Sequence, residues 1–270
     1  ASTAPDVTGD IAIGWQVAGQ PGGAPVASGQ AIARASADRT VKVEVEGLKP
    51  GREYWYRFAG SDGTLSAEGR FRTLPVGRID SLVLAVTSCQ LYPGGFYNAY
   101  AEMAKRDRLD AVIHLGDYIY EYGPEGYGGD IGQRLGRIPQ PGHEILTLDD
   151  YRSRHAQVKA DPDMQAAHAR AAFICVWDDH EVTNDGWVGG AENHQEDTEG
   201  AWSARKAVAM QAYFEWMPIR DPSPLRAREA IFRSFEFGDL ATLAMTETRL
   251  LARSKQMSFA GEPGKAEDYA

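Results

Sequence analysis

Three short stretches of the chain end in side chains that can bind a metal ion: Ser88-Cys89-Gln90, Gly116-Asp117-Tyr118-Ile119-Tyr120 and Asp178-Asp179-His180-Glu181. Each directly follows an apolar run of the kind that forms a buried strand. Taken singly, Cys89 reads as a small buried hydrophobe, Asp117 as a turn residue after Gly116, and Tyr120 as a packing residue. Their shared position at strand ends argues for a common task. A thiolate, a carboxylate and a phenolate from Cys89, Asp117 and Tyr120 make an anionic, strongly donating set suited to a trivalent ion such as Fe(III), while harder oxygen sites beside it suit Ca, Mg or Mn. The Asp178-Asp179-His180-Glu181 run sets three carboxylates around one imidazole, and these repel one another unless a cation or solvent takes up the charge. Bound cations would also draw an anionic phosphate group toward an otherwise acidic chain.

These residues lie far apart in sequence, so the fold must bring them together. LVLAV, the helical pattern NAYAEMAKRD and the run in DAVIHLGD read as a βαβ unit, and AAFICVWDDH supplies a third buried strand. In open parallel sheets ligands bind beyond the carboxyl ends of the strands, and right-handed crossovers keep those ends on one edge. Asp149 and Asp161 read as helix N-terminal signals, residues 201–217 as a helix stopped by Pro218, and FRSFEFGDLATLAMTET as a hairpin turning at Gly238-Asp239. Residues 254–270 show no period. His114 sits in an apolar run and is expected in the core; His143, His155, His168 and His194 are expected at the surface.

Ahead of this α/β portion, residues 10–73 alternate short β-rich segments (IAIGWQV, TVKVEVEGL, EYWYRF, EGRFRT) with PGG, KPG and SDG turns. Leu48-Lys49-Pro50-Gly51-Arg52-Glu53-Tyr54 resembles the tyrosine corner of immunoglobulin-like and fibronectin type III sandwiches, so a small sandwich of about five strands is expected over 1–75, with the boundary at Pro75–Arg78 and an α/β domain over 79–270.

The chain has 270 residues, 43% of them hydrophobic and 24% charged, which excludes a disordered or fibrous protein. Its net charge of −10 argues against broad nucleic-acid or anionic-membrane binding, and no apolar stretch reaches the roughly 20 residues of a membrane span. Two cysteines are too few for a disulfide scaffold. No G-x-S-x-G elbow or P-loop pattern occurs, so serine-hydrolase and nucleotide-triphosphate readings find no support.

The stretches TSCQ, AVIHLGDYIYEYG, LDDYRSRHAQVKADPDMQAAHAR, VWDDHEVTNDGW and MQAYFEWMPIR, in this order and with FRTLP closing the N-terminal part, resemble the PhoD-type alkaline phosphatases and phosphodiesterases within the calcineurin-like metallophosphoesterases. The resemblance implies a four-layered αββα catalytic domain, export from the cytoplasm, and a centre in which Fe(III) and Ca(II) cooperate. It implies Cys89 and Tyr120 as iron ligands, Asp117 as the carboxylate bridging iron to its neighbour, Asp179 as a ligand of the second metal and His180 as the phosphate-contacting histidine. Asn184 is a further candidate for the metal or its surroundings, and Glu181 either orients His180 or begins a helix.

The expected reaction is hydrolysis of phosphate esters, with a small-molecule ester as the partner of a monomer and no protein nucleophile. Members of this family supply further ligands after ETRLLARSKQ, and the chain ends at Ala270, so the sequence is expected to be C-terminally incomplete. Two other readings share the same residues. One is a phospholipase or nuclease-like phosphodiesterase using the same cluster; the other is a non-catalytic module that binds a partner through its β-rich part.

Overall fold

The computed structural model describes residues 9–255. Strands β1 (Ile11–Ala18), β2 (Pro25–Ala33), β3 (Glu53–Ala59) and β4 (Gly69–Arg72) form one antiparallel sheet in the order β2-β1-β3-β4. Aromatic rings lie across glycines on neighbouring strands, as Tyr56 does over its register partner Gly69, where an added Cβ would sit 2.2 Å from the ring. The tyrosine-corner hydrogen bond is present, with Lys49 N donating to the Tyr54 hydroxyl at 2.9 Å.

The second sheet of a sandwich is not formed among the described residues. In TVKVEVEGL the valines Val41, Val43 and Val45 are half-buried and Lys42, Glu44 and Glu46 exposed, the period of a strand, yet the segment pairs with none of the named strands. It is anchored elsewhere: Lys42 Nζ donates to the carbonyls of Phe214 (2.7 Å) and Ile219 (3.2 Å) and pairs with Asp221 (2.8 Å). A tether to the α/β portion replaces the expected ladder.

The α/β portion is built on a parallel sheet, β5-β6-β7, of β5 (Leu84–Thr87), β6 (Ala111–His114) and β7 (Phe173–Cys175). Every residue of the central β6 is buried, which accounts for its uninterrupted apolar sequence. Thr87 pairs with His114 and His114 with Cys175, so the three strands end level. Helix α1 (Asn98–Ala104) joins β5 to β6. Helices α2 (Gly129–Leu135), α3 (Leu148–Lys159) and α4 (Pro162–Arg170) lie between β6 and β7, followed by α5 (Glu196–Glu199), α6 (Trp202–Trp216) and the hairpin β8 (Arg233–Phe237) and β9 (Ala241–Met245). No helix among the described residues is long and apolar enough to cross a membrane.

Helix ends follow local chemistry. Asp161 caps α4 by accepting from Asp163 N and Met164 N, with Pro162 in the first helical turn. Thr147 rather than Asp149 caps α3, in a reciprocal capping box with Asp150, and Asp149 lies within the first turn. Helix α6 stops ahead of Pro218, as the missing N–H requires. Of the segment without period, 254–270, residues 256–270 fall outside the described residues.

The Pro75–Arg78 junction is clamped. Gly238 N donates to Pro75 O at 3.3 Å and Asp239 N to Gly77 O at 3.0 Å, so the β8–β9 turn grips it. Beside it, Arg70 donates to the carbonyls of Leu109 (2.8 Å) and Arg170 (3.0 Å), and Arg72 pairs with Asp110 at 2.8 Å.

Histidines depart from the expected pattern. His143 is exposed and His114 is in the core, but His155 is fully buried and the His194 side chain is 1% exposed beside Glu199 and Trp202. His168 is half-buried, stacked on Phe173 and bonded to the Tyr118 hydroxyl at 2.8 Å. His155 belongs to the inner stripe Tyr151, Arg154, His155, Val158 of α3, whose spacing is that of one helix face although half its members are polar.

Burial, reinforced by Lys159, pushes the imidazoles of His114 and His155 down to about 3 from an ordinary 6.5. Both are neutral in the fold, while the unfolded chain protonates them near 6.5, so the unfolded state binds more protons on acidification. Their contribution is complete above about pH 6.5 and erodes as pH falls from there toward 3, by about 1.4 kcal/mol per pH unit for each histidine. Denaturant midpoints measured at pH 7 and pH 5 should therefore drop on acidification, and His155→Leu should flatten the drop; equal midpoints would contradict the account.

Candidate metal centre

Beyond the level strand ends, the chain continues the pairing without strand geometry. Cys89 N donates to Gly116 O and Gln90 N to Asp117 O, both at 3.1 Å, which locks the loop after β5 to the loop after β6. Cys89 (φ 58°) and Asp117 (φ 56°) both adopt the left-handed region, a conformation that costs a non-glycine residue energy and that clusters at functional sites. The loop after β7 is brought in by Gly116 and Glu181. Gly116 (φ 108°) lies so close to the neighbouring loop that a Cβ would fall 2.2 Å from Asp178 N. Buried Glu181 accepts from Tyr118 N (2.5 Å), Asp178 N (2.8 Å) and Asp117 N (3.1 Å), bridging the two loops with one carboxylate. It neither orients His180 nor begins a helix; the chain turns there, with Val182 N and Thr183 N returning to Asp179 O.

The arrangement gathers donor atoms. Asp117 Oδ2 accepts from Cys89 Sγ at 3.2 Å and from the Tyr120 hydroxyl at 3.3 Å. One ligand atom each from Asp117, Asp179 and His180 lie within 4.8 Å of one another. Asp117 Oδ1 is buried with no hydrogen-bond partner among the described residues, a costly state for a carboxylate oxygen that a cation would relieve. Burial, followed by the Asp117 carboxylate, raises the Tyr120 phenol far above its ordinary range. Partial burial and Asp117 likewise raise the Cys89 thiol, against a hydrogen bond from Ser88. Both groups hold their protons in the metal-free protein, and only a strong positive charge would draw them off. The donor set thus fits a metal.

His180 has a partner that sequence reasoning missed. Its Nδ1 lies 2.7 Å from Oε2 of Glu121, a fully buried carboxylate that also accepts from Asn184 N (2.8 Å), Asn193 Nδ2 (3.0 Å) and Thr183 Oγ1 (3.1 Å). Burial alone would raise the Glu121 carboxyl, but His180, Asn193 and Asn184 outweigh it and hold it low. Burial works against charge on His180 as well, and Glu121, Asp179 and Asp117 overcome it to raise the imidazole to about 9. With Nδ1 committed to Glu121, Nε2 is the nitrogen left for a ligand or substrate. The Tyr120 ring packs on the imidazole with centroids 4.2 Å apart. The Asn184 side chain donates through Nδ2 to Glu192 at 2.9 Å.

Arg249 was also missed. Its guanidinium forks onto Asp178 and reaches Asp179 (3.3 Å) and Asp185 (3.6 Å), supplying the positive charge that this crowd of carboxylates demands. Glu247 shapes the segment that carries it, accepting from Trp177 Nε1 and from the backbone N–H of Arg249, Leu250, Leu251 and Ala252. Lone charges in TETRLLA give no sign of this, because their partners come from a strand end some seventy positions earlier.

A family model for the PhoD-like phosphatases matches residues 84–269, and one for the N-terminal domain of the same phosphatases matches residues 1–75. The chain belongs to the PhoD-like phosphatase family. Among its relatives, alkaline phosphatase D of Bacillus subtilis (strain 168) is 40% identical over 227 residues, which make up 83% of this chain and 38% of that protein. A solved structure of PhoD superposes with a TM-score of 0.78 at 37% identity, covering 92% of this chain and 47% of that one. This PhoD-like chain therefore spans less than half the length of either of these two relatives.

Proposed function

We propose that the chain carries the metal-binding strand ends of a phosphate-ester hydrolase of the alkaline phosphatase D type. The observation that carries this reading is the convergence of Cys89, Tyr120, Asp179 and His180 on Asp117, whose Oδ1 lacks a partner among the described residues. Cys89 and Tyr120, with Asp117, would hold Fe(III); Asp117 and Asp179 would hold Ca(II) beside it. When bound, the ions supply Lewis-acid polarisation of the phosphoryl oxygens and acidification of the attacking water.

The chain's own residues do the rest. His180, fixed at Nδ1 by Glu121, offers Nε2–H to the ester and gives its hydrogen bond or proton to the departing oxygen. The Tyr120 ring covers one face of the imidazole and limits water there. Arg249 holds Asp178 and Asp179 in place from the outer side.

In the same reading the β5–β7 sheet and the β8–β9 hairpin belong to the two inner layers of an αββα domain over 79–270, preceded by a separate β-rich unit over 1–75. The protein is exported, acts as a monomer and takes a small-molecule phosphate ester. Iron analysis and phosphatase assay of the full-length protein test the centre: Cys89→Ala should lose both iron and most activity. A tyrosinate on ferric iron absorbs visible light, so Tyr120→Phe should bleach the wild-type colour. Unchanged iron content and activity in Cys89→Ala would overturn the assignment.

A further inference from the structure

A row of rings leads outward from the metal centre. Tyr120 packs on His180 at 4.2 Å, Tyr122 meets the same imidazole at 5.6 Å, and Tyr127 meets Tyr122 at 6.2 Å. Exposure rises along it, from 9% at Tyr120 to 69% at Tyr127. We propose that Tyr122 and Tyr127 form a stacking subsite for a planar ring carried on the leaving alcohol of the ester, an inference that rests on the hydrolase reading and names its substrate class.

The loop is built to hold these rings still. Arg154, a buried guanidinium that donates to backbone carbonyls, grips both ends of the Tyr120–Tyr122 stretch through the carbonyls of Tyr120 and Tyr122. Tight turns follow, with Gly126 N on Gly123 O and Gly129 N on Gly126 O, both at 3.0 Å. A Cβ on Gly126 would lie 2.8 Å from Tyr122 Cβ, on Gly123 2.8 Å from the His143 backbone, and on Gly129 1.8 Å from Pro124 O. A loop this close-packed presents its tyrosines in one arrangement, so a ligand ring meets them with little ordering cost.

Tyr127 is a large ring left in solvent, and no hydrogen bond ties either hydroxyl of the pair to the described residues. The exposed charge in the loop is Glu125, which repels a second anionic group and favours a neutral ring over a polyphosphate or a nucleic-acid backbone. Aromatic faces take flat π-systems with little regard to their substituents.

The test uses full-length, metal-loaded protein and two non-hydrolysable probes, phenylphosphonate and methylphosphonate, titrated calorimetrically. Wild type should bind the phenyl compound more tightly. Tyr122→Leu should cut that preference about fivefold, and Tyr122→Phe, which keeps the ring, should restore it. Hydrolysis separates two sources of the ring. If it sits directly on the ester oxygen, Tyr122→Leu lowers kcat/KM for phenyl phosphate relative to glycerol phosphate; if it is reached through a sugar, Tyr127→Ala does so for a nucleoside 5′-monophosphate. Hydrolysis with both preferences unchanged in both variants overturns the subsite alone. Failure of the wild type to bind either phosphonate or hydrolyse any of these esters overturns the hydrolase reading and the subsite with it.

Discussion

Asp117→Asn is expected to lower kcat/KM for a phosphate monoester by about three orders of magnitude while making the metal-free protein more stable, by about 1 kcal/mol. The two effects have one origin. Asp117 is 5% exposed, burial raises its pKa, and Oδ1 has no partner among the described residues, so in the absence of a cation the charged form is a burden on the fold. Asparagine keeps the shape, removes the charge and tolerates the left-handed φ of 56° better than most residues. A residue that only supported the loops would lose stability when altered. Paired denaturant melts with and without added metal, alongside kinetics on the full-length protein, separate the cases: a variant that is less stable without metal, or still active, would remove Asp117 from the centre.

Gly116→Ala is expected to collapse the same centre by geometry rather than charge. The new Cβ would meet Asp178 N at 2.2 Å and Asp178 Cβ at 2.6 Å, and the backbone at φ 108° is itself unfavourable for alanine. The strain alone is about 1–3 kcal/mol, and relief requires the loop bearing Asp178, Asp179 and His180 to move off the loop bearing Asp117. Metal affinity should fall more than tenfold. Gly136→Ala is the control, since Gly136 also has positive φ (68°) but open space around it, at the end of α2. It should cost about 1 kcal/mol and leave metal binding intact. Equal effects of the two substitutions on metal binding would show that loop spacing is not what Gly116 provides.

Much of the frame could be read from residue order. The apolar runs before Cys89, Asp117 and Asp179 mark three parallel strands, and parallel pairing with level ends is enough to place those residues on one edge. Proline and glycine punctuation marks the end of α6 and the β8–β9 turn correctly. What remained hidden depends on tertiary partners. Glu121 reads as one more acid in a tyrosine-rich loop until the chain returns with His180, Thr183 and Asn193 to surround it. Arg249 is similar, meaningful only beside Asp178 and Asp179. His155 and Arg154 were obscured by their polarity, because a buried stripe containing a histidine and an arginine does not look apolar. TVKVEVEGL failed in the opposite sense: its alternation is that of a strand, but Lys42 is drawn to α6 and no partner strand among the described residues meets it.

The link between β6 and β7 runs through residues 115–172 and includes three helices. Asp117 and Asp179 therefore become neighbours only after that whole excursion has closed, and a closure of such span is among the slower events of folding. A nascent chain that has passed β6 and the loop after it owns Cys89, Asp117 and Tyr120 but not yet Asp179 and His180. Completion of the Asp117, Asp179 and His180 donor cluster is thus a late act in the life of the molecule, timed by the arrival of β7.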